Sequence, residues 1–239
     1  MGKVHVLLKK EELDQQRLEG KVVVVLDILF ATSSIVTALA HGALRVIPKA
    51  NGEEALAEAQ RQTPGSFLLS GELNAQTLPG FVHPTPLALL EQEVGGRTLI
   101  YSTTNGTVAL AKSRRAAQVY AAALLNGSAV VERIVGSHGD KTLLLVCSGS
   151  ADNFNLEDFY GAGYLVSLLR QRGSGLEFSD AALAAEILHR DCAAEDCLRR
   201  SRVGRMMLAR GLEREIRFAA QQSIYAVVPN LADGMLIGS

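Results

Sequence analysis

The chain has 239 residues, of which 48% are hydrophobic, enough for a continuous core in one large α/β domain or two small ones. Its formal net charge of −1 comes from 24 basic and 25 acidic residues in mixed order, which excludes the charge footprint of a nucleic-acid or anionic-membrane partner and favours a small-molecule partner. Three cysteines, an odd number, and a start without an apolar signal segment predict a reducing, cytoplasmic environment.

Short apolar segments rich in Val, Ile and Leu alternate with helical patterns down to about residue 150. Strands are predicted at 3–8, 21–28, 44–49, 66–71, 97–102, 118–124 and 142–149. Helices are predicted between them, at 33–42, 52–62, 86–94, 106–115 and 128–139. Several strands lack period-two alternation, which is typical of strands covered on both faces. The alternation predicts an α/β fold with a doubly wound, largely parallel or mixed sheet.

The pattern after residue 155 is mainly helical and ends in the β-like run SIYAVVP at 223–229. A basic run at 199–210 carries Leu, Met and Ala at helical spacing, so we interpret it as a solvated helix face. No firm domain boundary is visible. The whole chain, 1–239, is therefore predicted to form a single domain, with an alternating part at 1–150 and a mainly helical part at 151–239.

Five predicted strands end in small polar or carboxylate residues. These ends are Asp27, Ser70 to Glu72, Ser102 to Gly106, Asn126 with Gly127, and Cys147 to Ser150. Ligands of open α/β sheets bind at the carboxyl ends of the strands, so these residues mark the expected place of a site. Turns favour the same residue types, and a purely structural role stays open for each of them.

Four acidic residues are candidates for chemistry, each with a structural alternative. Asp27 suits a metal ligand or nucleophile, and equally a helix N-cap or turn. Glu72 is a second carboxylate or a solvated loop residue. Glu157 and Asp158 follow the predicted N-cap Asn155, where acidic residues complement the helix dipole, although paired carboxylates also suit Mg²⁺.

The stretch STTNGT at 102–107 predicts the start of a helix, because hydroxyls, a carboxamide and a glycine suit an N-cap. The backbone N–H groups left free at such a start can also hold an anion. The two roles do not compete, so both are expected here.

Several other catalytic patterns do not match. Cys147 lies in VCSGSADN, a stretch like a phosphate-binding loop, but Asn153 stands where a cysteine phosphatase needs arginine. Leu29 stands where the haloacid dehalogenase phosphatases need a second aspartate after Asp27. The histidines and cysteines match no common zinc pattern, and no Walker loop occurs.

Taken together, several motifs resemble the 2-phosphosulfolactate phosphatase family over nearly the whole chain, from Lys21 to Pro229. In order they are VVVVLDILFATSSIVTALAHGA, SGE, PGF, STTNGTVAL, LVCSGSADNFNLEDFYGAG and VVP. The resemblance implies a three-layer α/β/α fold. It also implies Mg²⁺-dependent hydrolysis of 2-phospho-3-sulfolactate to sulfolactate and phosphate, in coenzyme M synthesis or sulfolactate metabolism.

The chain departs from the family pattern at basic positions. Phe30 and Leu73 stand where the family has arginine, and a family aspartate and asparagine are replaced in the segment 82–85. A substrate that carries phosphate, carboxylate and sulfonate needs strong cationic complementarity. We therefore expect either a less anionic phosphoester, such as a related phosphorylated 2-hydroxy acid, or a weakened relative that binds a small anionic metabolite without turnover. Candidates for the missing charge are Lys49, Arg97 and Lys112.

The mechanism that the resemblance implies is metal-assisted hydrolysis of a small anionic phosphoester. Asp27, Glu72 and Glu157 or Asp158 are expected to hold Mg²⁺, and one carboxylate among Asp27, Glu157 and Asp158 to act as general base. The predicted substrate-binding residues are Thr103, Thr104, Asn105, Gly106, Thr107, Asn126, Cys147, Ser148 and Gly149. Among these, Asn126 orients the substrate carboxylate and Cys147 packs the loop. A structural or regulatory domain without ligand binding, and a homodimer, also stay open.

Overall fold

The computed structural model describes residues 2–173 and 175–239. The strands are β1 (Lys3–Leu7), β2 (Val22–Leu26), β3 (Arg45–Lys49), β4 (Phe67–Leu73), β5 (Gln76–Thr77), β6 (Thr98–Ser102), β7 (Gln118–Ala122), β8 (Leu143–Cys147), β9 (Glu177–Phe178), β10 (Pro229–Ala232) and β11 (Met235–Gly238). The helices are α1 (Ala31–Ala40), α2 (Gly52–Ala59), α3 (Pro86–Leu90), α4 (Gly106–Lys112), α5 (Gly127–His138), α6 (Leu156–Gln171), α7 (Asp180–Asp191), α8 (Ala194–Arg200), α9 (Arg202–Ala209) and α10 (Glu213–Ala219). The predicted α/β fold is confirmed.

All the strands belong to one mixed sheet, in the order β5-β4-β6-β3-β11-β10-β7-β2-β8-β1-β9. On one side of the hairpin β10–β11, strands β3, β4 and β6 pair in parallel. On the other side, β1, β2, β7, β8 and β9 also pair in parallel. The parallel sets agree with the strand-helix alternation of the sequence.

Strand β2 shows why the apolar runs lack alternation. Val22 and Val24 pack into one hydrophobic cluster, and Val23 and Val25 into a second cluster on the opposite face. Helices α5 to α10 supply side chains to the first cluster, whereas α1, α3 and α4 supply the second. Both faces of the sheet are therefore covered, as the continuous apolar run predicts.

The C-terminal hairpin corrects the strand predicted at 223–229. Residues 223–228 are irregular, and the strands are β10 and β11, which pair antiparallel from Pro229 opposite Gly238 to Ala232 opposite Met235. Strand β10 pairs with β7, and β11 pairs with β3, both antiparallel. The hairpin thus joins the two parallel sets in the middle of the sheet.

The three successive antiparallel pairings reverse the nominal direction of β6 relative to β2. Sheets also twist by about 20° per strand pair, which turns the two parallel sets relative to each other. Their carboxyl ends meet: a Cβ placed on Gly106, just after β6, would lie 2.8 Å from Oδ2 of Asp27, just after β2. Of the helices described, none is long and apolar enough to cross a membrane.

Candidate active site

A cleft of about 520 Å³ opens where the carboxyl ends of β2, β4 and β6 meet. It is lined by five of the residues that the sequence singled out, namely Asp27, Glu72, Thr103, Thr104 and Asn105. Ser150, in the loop after β8, also lines it. The strand ends predicted to mark a site therefore meet around one cavity, with the exception of the end of β7.

Asp27 carries a buried carboxylate in the wall of this cleft. Its Oδ1 accepts the backbone N–H of Ala31 at 3.3 Å, and its main chain exchanges hydrogen bonds with the hydroxyl of Thr32. Burial raises the pKa of Asp27 from 3.8 to about 6, and the nearby charge of Glu72 adds to the rise while the Ala31 N–H opposes it. In the metal-free protein, the carboxyl of Asp27 therefore keeps its proton to a higher pH than an exposed aspartate does.

Glu72 is held rigidly by the loop after β6. Its Oε1 accepts both the backbone N–H of Thr104 at 2.8 Å and the Thr104 hydroxyl at 2.9 Å. Its Oε2 accepts the N–H of Ala75 at 2.6 Å. The carboxylate is therefore a cleft residue with fixed orientation and not a freely solvated loop side chain.

Asp158 lies behind the cleft and joins two strand ends. Its Oδ1 accepts the N–H of Ile28 at 2.9 Å, and its Oδ2 accepts the N–H of Gly149 at 3.1 Å. Burial, together with the charges of Asp27 and Glu157, raises the pKa of Asp158 well above its usual value. Asp158 is buried, and its placement suits a positioning role better than direct contact with a ligand.

Glu157 is also buried, and neither of its carboxylate oxygens has a hydrogen-bond partner. The nearby hydroxyl of Ser201 donates to the carbonyl of Leu198 at 2.8 Å. Burial raises the pKa of Glu157 from 4.5 to about 7, and the charge of Asp27 adds to the rise. The N-cap explanation of Glu157 and Asp158 is insufficient, because both side chains point into the protein interior.

The stretch at 102–107 starts helix α4 at Gly106, as predicted. Its cap differs from the expectation, since the Asn105 side chain makes no capping hydrogen bond. Instead, the hydroxyl of Thr107 donates to the carbonyl of Thr103 at 2.7 Å. The N–H of Thr104 is taken by Glu72 and is not free for an anion. The hydroxyl of Thr103, a residue of the cleft wall, is buried without a hydrogen-bond partner.

Asn126 does not lie at the cleft, which corrects its predicted place there. It is fully buried, with Oδ1 accepting the N–H of Ala123 at 2.9 Å and Nδ2 donating to the carbonyl of Val227 at 3.0 Å. Both polar atoms of the Asn126 carboxamide thus already have hydrogen-bond partners inside the protein. A substrate carboxylate cannot reach it without breaking these bonds.

The loop after β8 lies mostly beneath the surface of the cleft. Cys147 and Ser148 are fully buried, and burial raises the pKa of the Cys147 thiol well above its usual value. Gly149 has φ of +62° and approaches the carbonyl of Asn153. The buried thiol fits the predicted packing role of Cys147 and excludes an activated nucleophile.

Two cations that the sequence analysis missed line the cleft, Lys10 and Arg202. Lys10 follows β1 and so lies at the same sheet edge as the other site residues. Its position after a predicted strand could have identified it as a candidate. Arg202 belongs to the basic run interpreted as a solvated face, and nothing in the pattern distinguished it. Lys49 pairs with Glu58 at 2.9 Å, and neither Arg97 nor Lys112 is among the residues found to line the cleft.

The comparisons with known proteins cover nearly the entire chain. The family model described as 2-phosphosulpholactate phosphatase matches residues 7–234. The chain belongs to the 2-phosphosulfolactate phosphatase family. It is 37% identical to a probable 2-phosphosulfolactate phosphatase of Carboxydothermus hydrogenoformans over 98% of this chain and 96% of that protein. It is 30% identical to the one of Clostridium beijerinckii, over 98% of each chain. Membership places the chain among the phosphoric monoester hydrolases.

The two positions that depart from the family arginines have different surroundings. Phe30 is buried and lines the cleft, beside Leu29. Leu73 is 55% exposed and is not among the lining residues. At position 30, where the resemblance leads us to expect an arginine, the cleft wall is therefore apolar.

The acidic residues of the cleft have the chemistry of Mg²⁺ ligands. Among residues 2–173 and 175–239, no three or more His, Cys, Asp and Glu side chains form a ready-made metal cluster. Mg²⁺ usually takes only one or two protein carboxylates, with water and substrate oxygens completing its shell. Asp27 and Glu72 line the same cleft and repel each other, and the Glu157 oxygens lack partners. This excess of negative charge fits a divalent cation bound together with the substrate.

Proposed function

We propose that the protein is a Mg²⁺-dependent phosphatase of a phosphorylated 2-hydroxy acid, with 2-phospho-3-sulfolactate as the first candidate. The observation that carries the proposal is the common cleft of Asp27, Glu72 and the loop Thr103 to Asn105. In this cleft, carboxylates that can bind a metal cation lie beside hydroxyls that can bind a phosphate, and the chain belongs to a phosphatase family. Such an activity belongs to sulfolactate or coenzyme M metabolism.

The carboxylates of Asp27 and Glu72 would hold Mg²⁺ at the cleft wall. When bound, Mg²⁺ supplies positive charge that orients the phosphate and stabilises the developing alkoxide of the leaving group. Asp27 is the proposed acceptor of the proton of the attacking water, because its carboxylate lies in the cleft wall. Glu72 keeps its orientation through the hydrogen bonds from Thr104 and Ala75.

Lys10 and Thr103 supply the complementary groups for the phosphate. Lys10 is buried, and its Nζ donates to the Asn105 carboxamide at 3.2 Å and to the carbonyl of Ser148 at 3.2 Å. Its Nζ also pairs with the carboxylate of Glu11 at 3.1 Å, so its charge is shared between Glu11 and the loop after β6. The unpartnered hydroxyl of Thr103 lies in the same wall and donates to a phosphate oxygen. Both interactions strengthen as negative charge develops during hydrolysis.

The test is phosphate release from 2-phospho-3-sulfolactate and other phosphorylated 2-hydroxy acids, with Mg²⁺ and with EDTA. We expect metal-dependent release, which Asp27→Asn reduces by at least about a hundredfold because the proton acceptor is lost. Asp196→Asn, at an exposed position on α8, is the matched control and should leave the rate unchanged. Release that is unaffected by Asp27→Asn would refute the role of this carboxylate.

The second candidate function is binding of a small anionic metabolite without turnover. It is favoured by Phe30, an apolar side chain in the cleft at a family arginine position. Equilibrium binding of sulfolactate or phosphate by a folded protein that releases no phosphate from any ester would support this candidate. Metal-dependent turnover would exclude it.

A further inference from the structure

Arg202 stands at the mouth of the cleft with most of its guanidinium unused. Its Nη2 donates to the hydroxyl of Ser150 and, at 3.4 Å, to the carboxamide of Asn155. The Ser150 hydroxyl in turn donates to the same carboxamide oxygen at 2.9 Å. All three residues line the cleft. Two neutral side chains thus fix the direction of the guanidinium, and Glu157 is the acidic group whose pKa its charge lowers.

The remaining donors of Arg202 are available to an acidic group. Within the described part of the chain, its hydrogen bonds are the two from Nη2, and its charge also lies near enough to the buried Glu157 to lower the pKa of that carboxyl. A guanidinium has five N–H donors in a planar fork, which matches two oxygens of a carboxylate or sulfonate. The unused edge of Arg202 therefore has the chemistry of an anion-binding group.

The start of a helix is an unfavourable position for a cation, although the charge of Arg202 also acts on the buried carboxyl of Glu157. Arg202 is the first residue of α9, where the helix dipole disfavours positive charge. The N-cap of α9 is provided by Ser201, whose hydroxyl accepts the N–H of Gly204 at 2.9 Å, so Arg202 is not needed to begin the helix. Helix α6 also begins near Arg202, directly after Asn155, and the N-terminal end of its dipole adds positive potential around the guanidinium. An anionic ligand would offset both effects.

The buried hydroxyl of Thr103 gives an independent sign that a ligand enters the same cavity. It lies in the cleft wall without a partner, and buried hydroxyls normally have one. Thr103 follows β6, whereas Arg202 belongs to α9, so the two groups come from different parts of the fold. A ligand with separate acidic groups can satisfy both.

We propose that Arg202 binds the acidic group of the substrate other than its phosphate, a carboxylate or a sulfonate, and thereby determines substrate specificity. This rests on the proposed phosphatase function and identifies the residue that replaces the guanidinium absent at position 30. The phosphate lies toward Asp27 and Thr103, and the second acidic group lies toward Ser150 and Asn155. An ester without that group gains nothing from Arg202.

The test compares Arg202→Met with the unaltered protein on three esters. These are 2-phospholactate, which carries a carboxylate, the phosphate ester of 2-hydroxyethanesulfonate, which carries a sulfonate, and isopropyl phosphate, which carries neither. We expect KM to rise about tenfold or more for at least one acidic ester, because a charged hydrogen-bonded pair is lost, with kcat nearly unchanged. KM for isopropyl phosphate should stay the same. The ester whose KM rises shows whether Arg202 binds a carboxylate or a sulfonate.

Two further variants separate binding from structure. Arg202→Lys keeps the charge without the planar fork, and we expect an intermediate KM for the affected ester. Arg205→Met is the matched control on the same helix, because Arg205 is exposed and does not belong to the cleft lining. It should leave all three KM values unchanged. Equal changes for all esters in Arg202→Met, or no change for any, would overturn the proposal.

Calorimetry keeps the inference testable if the phosphatase function fails. In a protein that releases no phosphate, the affinity for sulfolactate is measured with and without Arg202→Met. Binding that weakens about tenfold or more would support Arg202 as an anion-binding residue even without catalysis. Unchanged binding, or no binding to the unaltered protein, would overturn it.

Discussion

The carboxylate of Asp158 accepts the backbone N–H of Ile28 at 2.9 Å, across 130 residues of sequence. Ile28 directly follows Asp27, so this bond fixes the main chain beside the carboxylate that lines the cleft. The second oxygen of Asp158 accepts the N–H of Gly149 and ties in the loop after β8. Asp158 therefore positions two walls of the site without being part of its surface.

Asp158→Asn should destabilise the protein and reduce turnover together. The amide group that replaces one oxygen cannot accept an N–H, so a buried donor is left unpaired at a cost of about 1–3 kcal/mol. Urea unfolding and phosphate release measure the two effects. Asp196→Asn serves as the exposed control. Full stability together with full activity in Asp158→Asn would contradict the positioning role.

Gly106→Ala tests the close approach of α4 to Asp27. A Cβ at this position would lie 2.8 Å from Oδ2 of Asp27 and 2.5 Å from Cβ of Ala31, so the helix or the carboxylate must shift. We expect lower stability and a drop in kcat of at least about tenfold, since catalysis is sensitive to displacements of about 1 Å.

The control for this substitution is Gly136→Ala, on an exposed face of α5. A Cβ there meets nothing within 4 Å. Because alanine favours a helix over glycine, it should raise stability by up to about 1 kcal/mol and leave activity unchanged. If Gly106→Ala behaves like Gly136→Ala, the packing of α4 against Asp27 has no influence on the site.

The buried carboxyls predict an unusual dependence of stability on pH in the metal-free protein. Burial raises the pKa of Asp27 from 3.8 to about 6 and that of Glu157 from 4.5 to about 7. The folded state thus holds these protons more tightly than the unfolded state. Their contribution is fully present below about pH 4 and is lost as pH rises through 6 and 7.

Thermal unfolding in EDTA between pH 5 and 8 measures this effect. Glu157→Gln should show a smaller decrease in Tm across this range than the unaltered protein. Mg²⁺ should raise Tm more at pH 8 than at pH 5, because it binds the ionised carboxylates. Identical pH profiles for the two proteins would show that Glu157 does not titrate in this window.

Asn126→Ala separates a structural role from substrate binding. It removes the partners of the Ala123 N–H and the Val227 carbonyl, and each unpaired buried group costs about 1–3 kcal/mol. Tm should therefore fall while KM for the phosphoester stays constant in the folded fraction. A raised KM at unchanged Tm would restore the substrate-binding role predicted from the sequence.

Strands were predicted correctly where the apolar pattern of the segment itself indicates a strand. The five-residue core of β2 is apolar throughout because both faces of the sheet are covered, and periodicity detects this. Strands β10 and β11 were missed because each has only four residues, and their extended conformation depends on pairing with β7 and β3. The apolar run at 223–229 was a stronger local signal but finds no strand partner before Pro229.

By itself, the sequence determined the α/β class, the polar character of the strand ends and the family. These properties are local patterns or an order of motifs along the chain, which folding does not change. Only the tertiary structure decided which polar residues share the cleft. It brings Lys10, Asp27 and Arg202 together, and it turns Asn126 inward. Such contacts depend on sheet twist and helix packing between distant segments, and residue spacing carries no information about them.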